Sequence, residues 1–122
     1  MATIKETLDK VLDDLKRAED VEASAVISRD GLLMSSSISS DMRAETFAAM
    51  SATMLGAAET TSAELRKGVP DRVIIESRDG KVIVAGAGSR ALLVIMIGPN
   101  AGLGLTLVNM GKAVDSIKEV LK

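Results

Sequence analysis

The stretch Val73-Ile74-Ile75-Glu76-Ser77-Arg78-Asp79-Gly80-Lys81-Val82-Ile83-Val84-Ala85 decides the fold. Two runs rich in β-branched residues flank an Asp-Gly pair. Asp-Gly between apolar runs is a strong hairpin signal, because both central positions of the favoured two-residue turn take positive φ. The same chemistry stands upstream, where Glu22-Ala23-Ser24-Ala25-Val26-Ile27-Ser28 and Leu32-Leu33-Met34-Ser35-Ser36 flank Arg29-Asp30-Gly31. The shared Ser-Arg-Asp-Gly is a repeat of turn chemistry and not of a domain. Downstream, the strand from Lys81 to Ala87 turns through Gly86-Ala87-Gly88-Ser89 into Ala91-Leu92-Leu93-Val94-Ile95-Met96-Ile97. This last run is apolar on both faces, which places it in the middle of a sheet covered on both sides.

Three helical segments surround these strands. From Thr3 to about Ala18, Ile4, Leu8, Val11 and Leu15 recur at helical spacing among charged residues, with Thr3 as the expected N-cap. From Leu103 onward, Leu107, Met110, Val114, Ile117 and Leu121 continue one apolar stripe, weakened but not broken by Gly104 and Gly111. The middle helix runs from about Asp41 to Lys67, opened by Ser40 or Asp41 and closed by Gly68 with Pro70 beyond. Its stripe is Phe47, Met50, Met54, Ala57, Thr61 and Leu65. The opposite side, with Ala48, Ala49, Ala52, Leu55, Gly56 and Ala58, is also small or apolar, and no charge occurs between Phe47 and Ala58. A helix that is apolar all round is covered on more than one side.

The reading is therefore an α+β fold of order α-β-β-α-β-β-β-α, a five-stranded antiparallel sheet with helices on both faces, over a single domain spanning residues 1–122. In a chain this short, the economical cover for the outer side of the middle helix is its own copy across a two-fold axis. Ser51, Ala49, Ala52, Gly56 and Ala57 are small enough to let two such helices approach closely.

Composition narrows the chemistry. Net charge is −2 and no basic stripe occurs, so the chain has no footprint for nucleic acid. Phe47 is the lone aromatic residue, which removes base-stacking platforms. Cysteine and histidine are absent, which removes disulfides, thiolate nucleophiles, zinc sites with those ligands and the usual hydrolase base. The start, Met1-Ala2-Thr3-Ile4-Lys5-Glu6, lacks the pattern of a signal peptide, and no apolar run reaches the roughly 20 residues that span a bilayer. A cytoplasmic protein with no catalytic residues, no cofactor, no metal and no direct membrane insertion is expected.

Beyond these physical signals, Ala25-Val26-Ile27-Ser28-Arg29-Asp30-Gly31-Leu32, Ala91-Leu92-Leu93-Val94-Ile95 and Gly102-Leu103-Gly104-Leu105 resemble the roadblock (dynein light-chain) domain family, relatives of the longin and profilin-like folds. The resemblance covers essentially the whole chain. It implies one helix on one sheet face and two on the other. It also implies a homodimer or heterodimer in which the third strand of each subunit, here Arg72 to Ser77, pairs antiparallel with that of its partner while the middle helices pack side by side. Members of this family act as dynein light chains, as signalling scaffolds and as bacterial regulators of Ras-like small GTPases, the last without an arginine finger. The resemblance thus implies a non-enzymatic homodimeric scaffold for a small GTPase, with Phe47, Met50, Ser51, Met54, Ala57, Thr61, Val73, Ile74 and Ile75 as interface residues. The alternative is a small-ligand sensor module with a profilin-like fold, which requires an internal cavity with converging polar groups.

Other motifs have plainer readings. Gly86-Ala87-Gly88-Ser89-Arg90 lies between strands, and Gly98-Pro99-Asn100-Ala101-Gly102-Leu103-Gly104 reads as a turn and cap; neither carries the lysine of a phosphate loop. Ser35 to Asp41 is a polar connection, and Asp13-Asp14 and Glu19-Asp20 are solvated charge. Arg43, Arg66 and Arg90 are exposed cations to which no role is assigned.

Overall fold

A computed structural model describes residues 1–122 except Glu19, Ser40 and Asp41, and the side chain of Ala18. The order is α1 (Ile4–Ala18), β1 (Val21–Ser28), β2 (Leu33–Ser37), α2 (Ala44–Glu64), β3 (Arg72–Ser77), β4 (Gly80–Ala87), β5 (Ala91–Ile97) and α3 (Leu103–Val120). The five strands form one antiparallel sheet in the order β2-β1-β5-β4-β3. The doubly apolar β5 occupies the centre, where six of its residues are buried.

Two apolar layers hold the sheet. On one face α1 lies over β1 and β2, α3 lies over β4 and β5, and the two helices touch each other. Leu8, Leu12, Leu15, Met110, Ile117 and Leu121 meet Val26, Ile83, Leu93 and Ile95 there. On the other face α2 alone crosses the strands, and Ala48 and Leu55 join Ala25, Ile27, Val84, Leu92 and Val94. The strand period of two explains the division, since alternate residues of β1, β4 and β5 go to opposite layers.

Several local expectations are sharpened. Thr3 caps α1 as a reciprocal box: its Oγ1 accepts from the Glu6 amide at 3.1 Å, and its own amide donates to the Glu6 carboxylate at 3.4 Å. Ile4 does not join the buried stripe of α1; it stays 53% exposed, and Leu12 takes the place in the core. The first hairpin is not the two-residue turn expected. The Gly31 amide donates to Ser28 O and the Ser28 amide to Leu32 O, enclosing Arg29, Asp30 and Gly31, with the positive φ of +87° falling on Gly31. That is a three-residue loop, in which only the last position needs the left-handed region. In the second copy Ser77 faces Gly80, and again the glycine and not the aspartate carries the positive φ.

The middle helix is shorter than the expected 41–67. The cap expected at Ser40 or Asp41 lies outside the described residues. The helix begins after Arg43, which makes no side-chain cap bond. At the other end the helix closes at Arg66, two residues before Gly68, which is itself left-handed with a φ of +86°. The φ of Arg66 is +56°, its amide donates to Ala63 O, and the Lys67 amide donates to Ser62 O at 2.9 Å. This closes the last turn in the Schellman manner with a non-glycine at the left-handed position.

Candidate protein-docking surface

The face of α2 that turns away from the sheet is the candidate site. Its construction starts inside. Ala48, Ser51 and Leu55 are buried against the strands, a narrow stripe in which Leu55 is the one large side chain. One flank abuts the first hairpin so closely that a Cβ on Gly31 would lie 3.2 Å from the Ala49 Cα. The opposite flank carries Phe47 and Met54, half-buried in the same layer as Val73 and Val82. Helical spacing then points Met50, Thr53, Ala57 and Thr61 outward, and all four are exposed. From Thr46 to Ala63 no exposed residue of this helix bears a charge.

A clamp fixes the height of the helix. The Arg29 guanidinium donates from Nη1 to both Glu59 carboxylate oxygens at 3.1 Å and from Nη2 to the Gly88 carbonyl at 2.7 Å. One side chain therefore joins the β1–β2 loop, α2 and the β4–β5 turn. Arg29 and Glu59 side chains are only about a third exposed, which shields the pair from solvent and makes it stronger than an open surface pair. Gly86 leaves room for it, since a Cβ there would come within 2.9 Å of Arg29 Nη2.

Beside α2 lies the edge of the sheet. Among the described residues β3 pairs with β4 alone, and no element covers its outer edge. Val73 and Ile75 point to the α2 face, where Val73 joins the α2 layer, and Ile75 is 37% exposed. Ile74 points to the opposite face and joins the α1/α3 layer.

The nine residues expected at an interface therefore divide. Met50, Ala57 and Thr61 share the outer face of α2, with Phe47 and Met54 at its border, and Val73 and Ile75 continue it along the edge. Ser51 does not belong to the outer face. It is 1% exposed against the sheet, and its hydroxyl finds no hydrogen-bond partner there. Ile74 serves the far face of the strand.

Elsewhere the polar groups have structural work. Arg90 Nη1 donates to the Leu121 carbonyl at 3.3 Å, tying the β4–β5 turn to the end of α3. Ser35 donates to the Asp9 carboxylate, fastening β2 to α1. That hydrogen bond, with help from Lys5, holds the Asp9 carboxyl below its ordinary value. Gly102, at the start of α3, gives no side-chain cap, and Thr106 donates to its carbonyl. Among the described residues no three acidic, histidine or cysteine side chains gather as a metal site.

Residues 7–96 match the family model described as the Roadblock/LC7 domain. This chain belongs to the Roadblock/LC7 family. An uncharacterized protein of Methanocaldococcus jannaschii, MJ0310, is 35% identical over 111 residues, covering 91% of this chain and 96% of that one. Among solved structures, Myxococcus xanthus MglB superposes with a TM-score of 0.92 at 18% identity, covering 99% of this chain and 92% of that chain. A Roadblock/LC7 domain from Streptomyces avermitilis gives a TM-score of 0.87 at 21% identity, covering 93% and 96%. At such identities the two structures establish the shared fold. No helix among the described residues is long and apolar enough to cross a membrane.

Proposed function

We infer that the chain is a cytoplasmic, non-enzymatic homodimeric scaffold whose paired α2 helices and joined sheets receive a Ras-like small GTPase. Residues 1–122 act in this reading as one roadblock unit. The observation that carries it is the uncharged outer face of α2 lying beside an uncovered β3 edge. Adjoining apolar surface of this kind marks an interaction site, and a bare edge strand invites pairing. Pairing β3 with its copy covers both at once, because it brings the two α2 helices together on the same face. A standard interface takes about 800 Å² from each partner, about a tenth of the 7373 Å² surface of this chain.

The GTPase part is supported by family membership, since bacterial members of this resemblance regulate Ras-like GTPases. No arginine finger is assigned: the one strongly engaged arginine, Arg29, is committed to Glu59 and Gly88. The sensor reading draws no support from the clefts beside Val11 and Asn109, Arg29 and Arg90, or Asp71 and Met110, which are open surface grooves and not enclosed cavities.

The test uses the purified protein with GTP-loaded Ras-like GTPases from the same genome, following both complex mass and nucleotide hydrolysis. The reading predicts that one GTPase is retained and that Met50→Glu abolishes its retention. Retention of none of them refutes the GTPase part while leaving the dimer standing.

A further inference from the structure

The edge strand reads Arg72-Val73-Ile74-Ile75-Glu76-Ser77, and its two charges sit symmetrically about Ile74. Both Arg72 and Glu76 are exposed, and by the period of the strand both share the face of Ile74, the face of α1 and α3. Neither makes an ion pair or a side-chain hydrogen bond within the chain among the described residues. On its own side Arg72 faces Ala85 of β4, and Glu76 faces Lys81.

We propose that β3 pairs with β3 of a second copy in the register centred on Ile74, with Arg72 of each strand opposite Glu76 of the other. This rests on the dimer reading above and adds the register to it.

Geometry leaves few choices. Residues directly opposite in an antiparallel pair point to the same face. For both α2 helices to lie on one side, odd-numbered residues must therefore face odd and even must face even. The two-fold axis then passes between the two copies of one self-paired residue: Val73, Ile74 or Ile75. Centring on Val73 sets Arg72 against Ile74 and Asp71 against Ile75. Centring on Ile75 sets Glu76 against Ile74 and Ser77 against Val73. Both bury charge against an aliphatic side chain. Centring on Ile74 sets Ile74 against Ile74 and Val73 against Ile75 beneath the paired α2 helices. It also places two opposite-charge pairs at the flanks of the other face. A row Lys81–Glu76–Arg72–Ala85 then crosses the seam twice, related by the two-fold.

The self-complementary edge supplies partner choice as well as register. Opposite charges directly across two strands favour pairing, and like charges there oppose it. Reversing one charge therefore turns both symmetric pairs repulsive at once.

Sedimentation equilibrium and native mass measurement of wild type, R72E, E76R, the double variant R72E/E76R and a one-to-one mixture of the two single variants decide the matter. Circular dichroism confirms that each variant is folded. Each single reversal is expected to weaken the homodimer by on the order of tenfold or more. The double variant recovers wild-type association. In the mixture one chain carries only acidic and the other only basic seam residues, so heterodimer accumulates beyond the half expected from random exchange. Single variants that associate like wild type, with a random mixture, overturn the register while the dimer stands. A wild-type monomer overturns the dimer reading and the register with it.

Discussion

Leu55→Ala tests how α2 is held. Of the three residues that α2 fully buries against the sheet, the other two are Ala48 and Ser51, so Leu55 is the one large side chain completely enclosed in the contact, with Phe47 and Met54 half-buried beside it. It is 1% exposed and packs in the layer formed by Ile27, Leu92 and Val94. Losing its side-chain carbons at about 0.8 kcal/mol each gives roughly 2 kcal/mol of transfer energy. The strands beneath are locked by ladders on both sides and collapse little, so a cavity contribution brings the total to about 3 kcal/mol. That is roughly two orders of magnitude in the folding equilibrium. Urea unfolding at one fixed protein concentration, followed by far-ultraviolet circular dichroism, should show the midpoint falling by about 1–2 M with an unchanged slope. Leu32→Ala is the control: Leu32 is 69% exposed, and its truncation should change stability by less than about 0.5 kcal/mol. If Leu55→Ala costs no more than Leu32→Ala, the helix is anchored by something other than this contact and the reasoning fails.

Other consequences follow from single features. A double-mutant cycle with Arg29→Met and Glu59→Gln should return a coupling of about 1–2 kcal/mol, read by the same denaturation; additive effects would mean the clamp does not stabilise α2. Gly111→Ala should raise stability by about 0.5–1 kcal/mol, because the residue is an exposed helix interior position with open space around it. The Asp9 carboxyl is lowered from its ordinary value of 3.8 by the Ser35 hydroxyl first and Lys5 second. A depressed folded-state value means stability is present above the unfolded value and lost as pH falls through the folded one. Stability should therefore drop below about pH 4, and Asp9→Asn should flatten that part of the curve; an unchanged acid limb would remove Asp9 from the account.

The sheet was legible because strand chemistry is local. Asp-Gly turns and the two-sided apolar run of β5 gave the hairpins and the central strand, and Thr3 marked the start of α1. The phase of α2 was not legible, for a physical reason. A helix apolar on every side has no periodicity to say which side meets the sheet, so Ser51 could not be told from Met50. The uncharged run of α2 and the bare aliphatic run of β3 are visible in the sequence, but the clamp is not. Arg29 meets partners 30 and 59 residues away, and its twin Arg78, in the same Ser-Arg-Asp-Gly sequence, makes no such contact among the described residues. Helix closure at Arg66 was hidden because glycine two residues later offered the better local signal, while the chain had already turned.

The central claim is that a second copy covers the outer face of α2 and the β3 edge. The mass of the purified protein by sedimentation equilibrium at micromolar concentration tests it most directly. Twice the 12.7 kDa chain mass is expected, falling to the single-chain mass in a folded Met50→Glu variant. A wild-type protein that stays at 12.7 kDa at that concentration contradicts it.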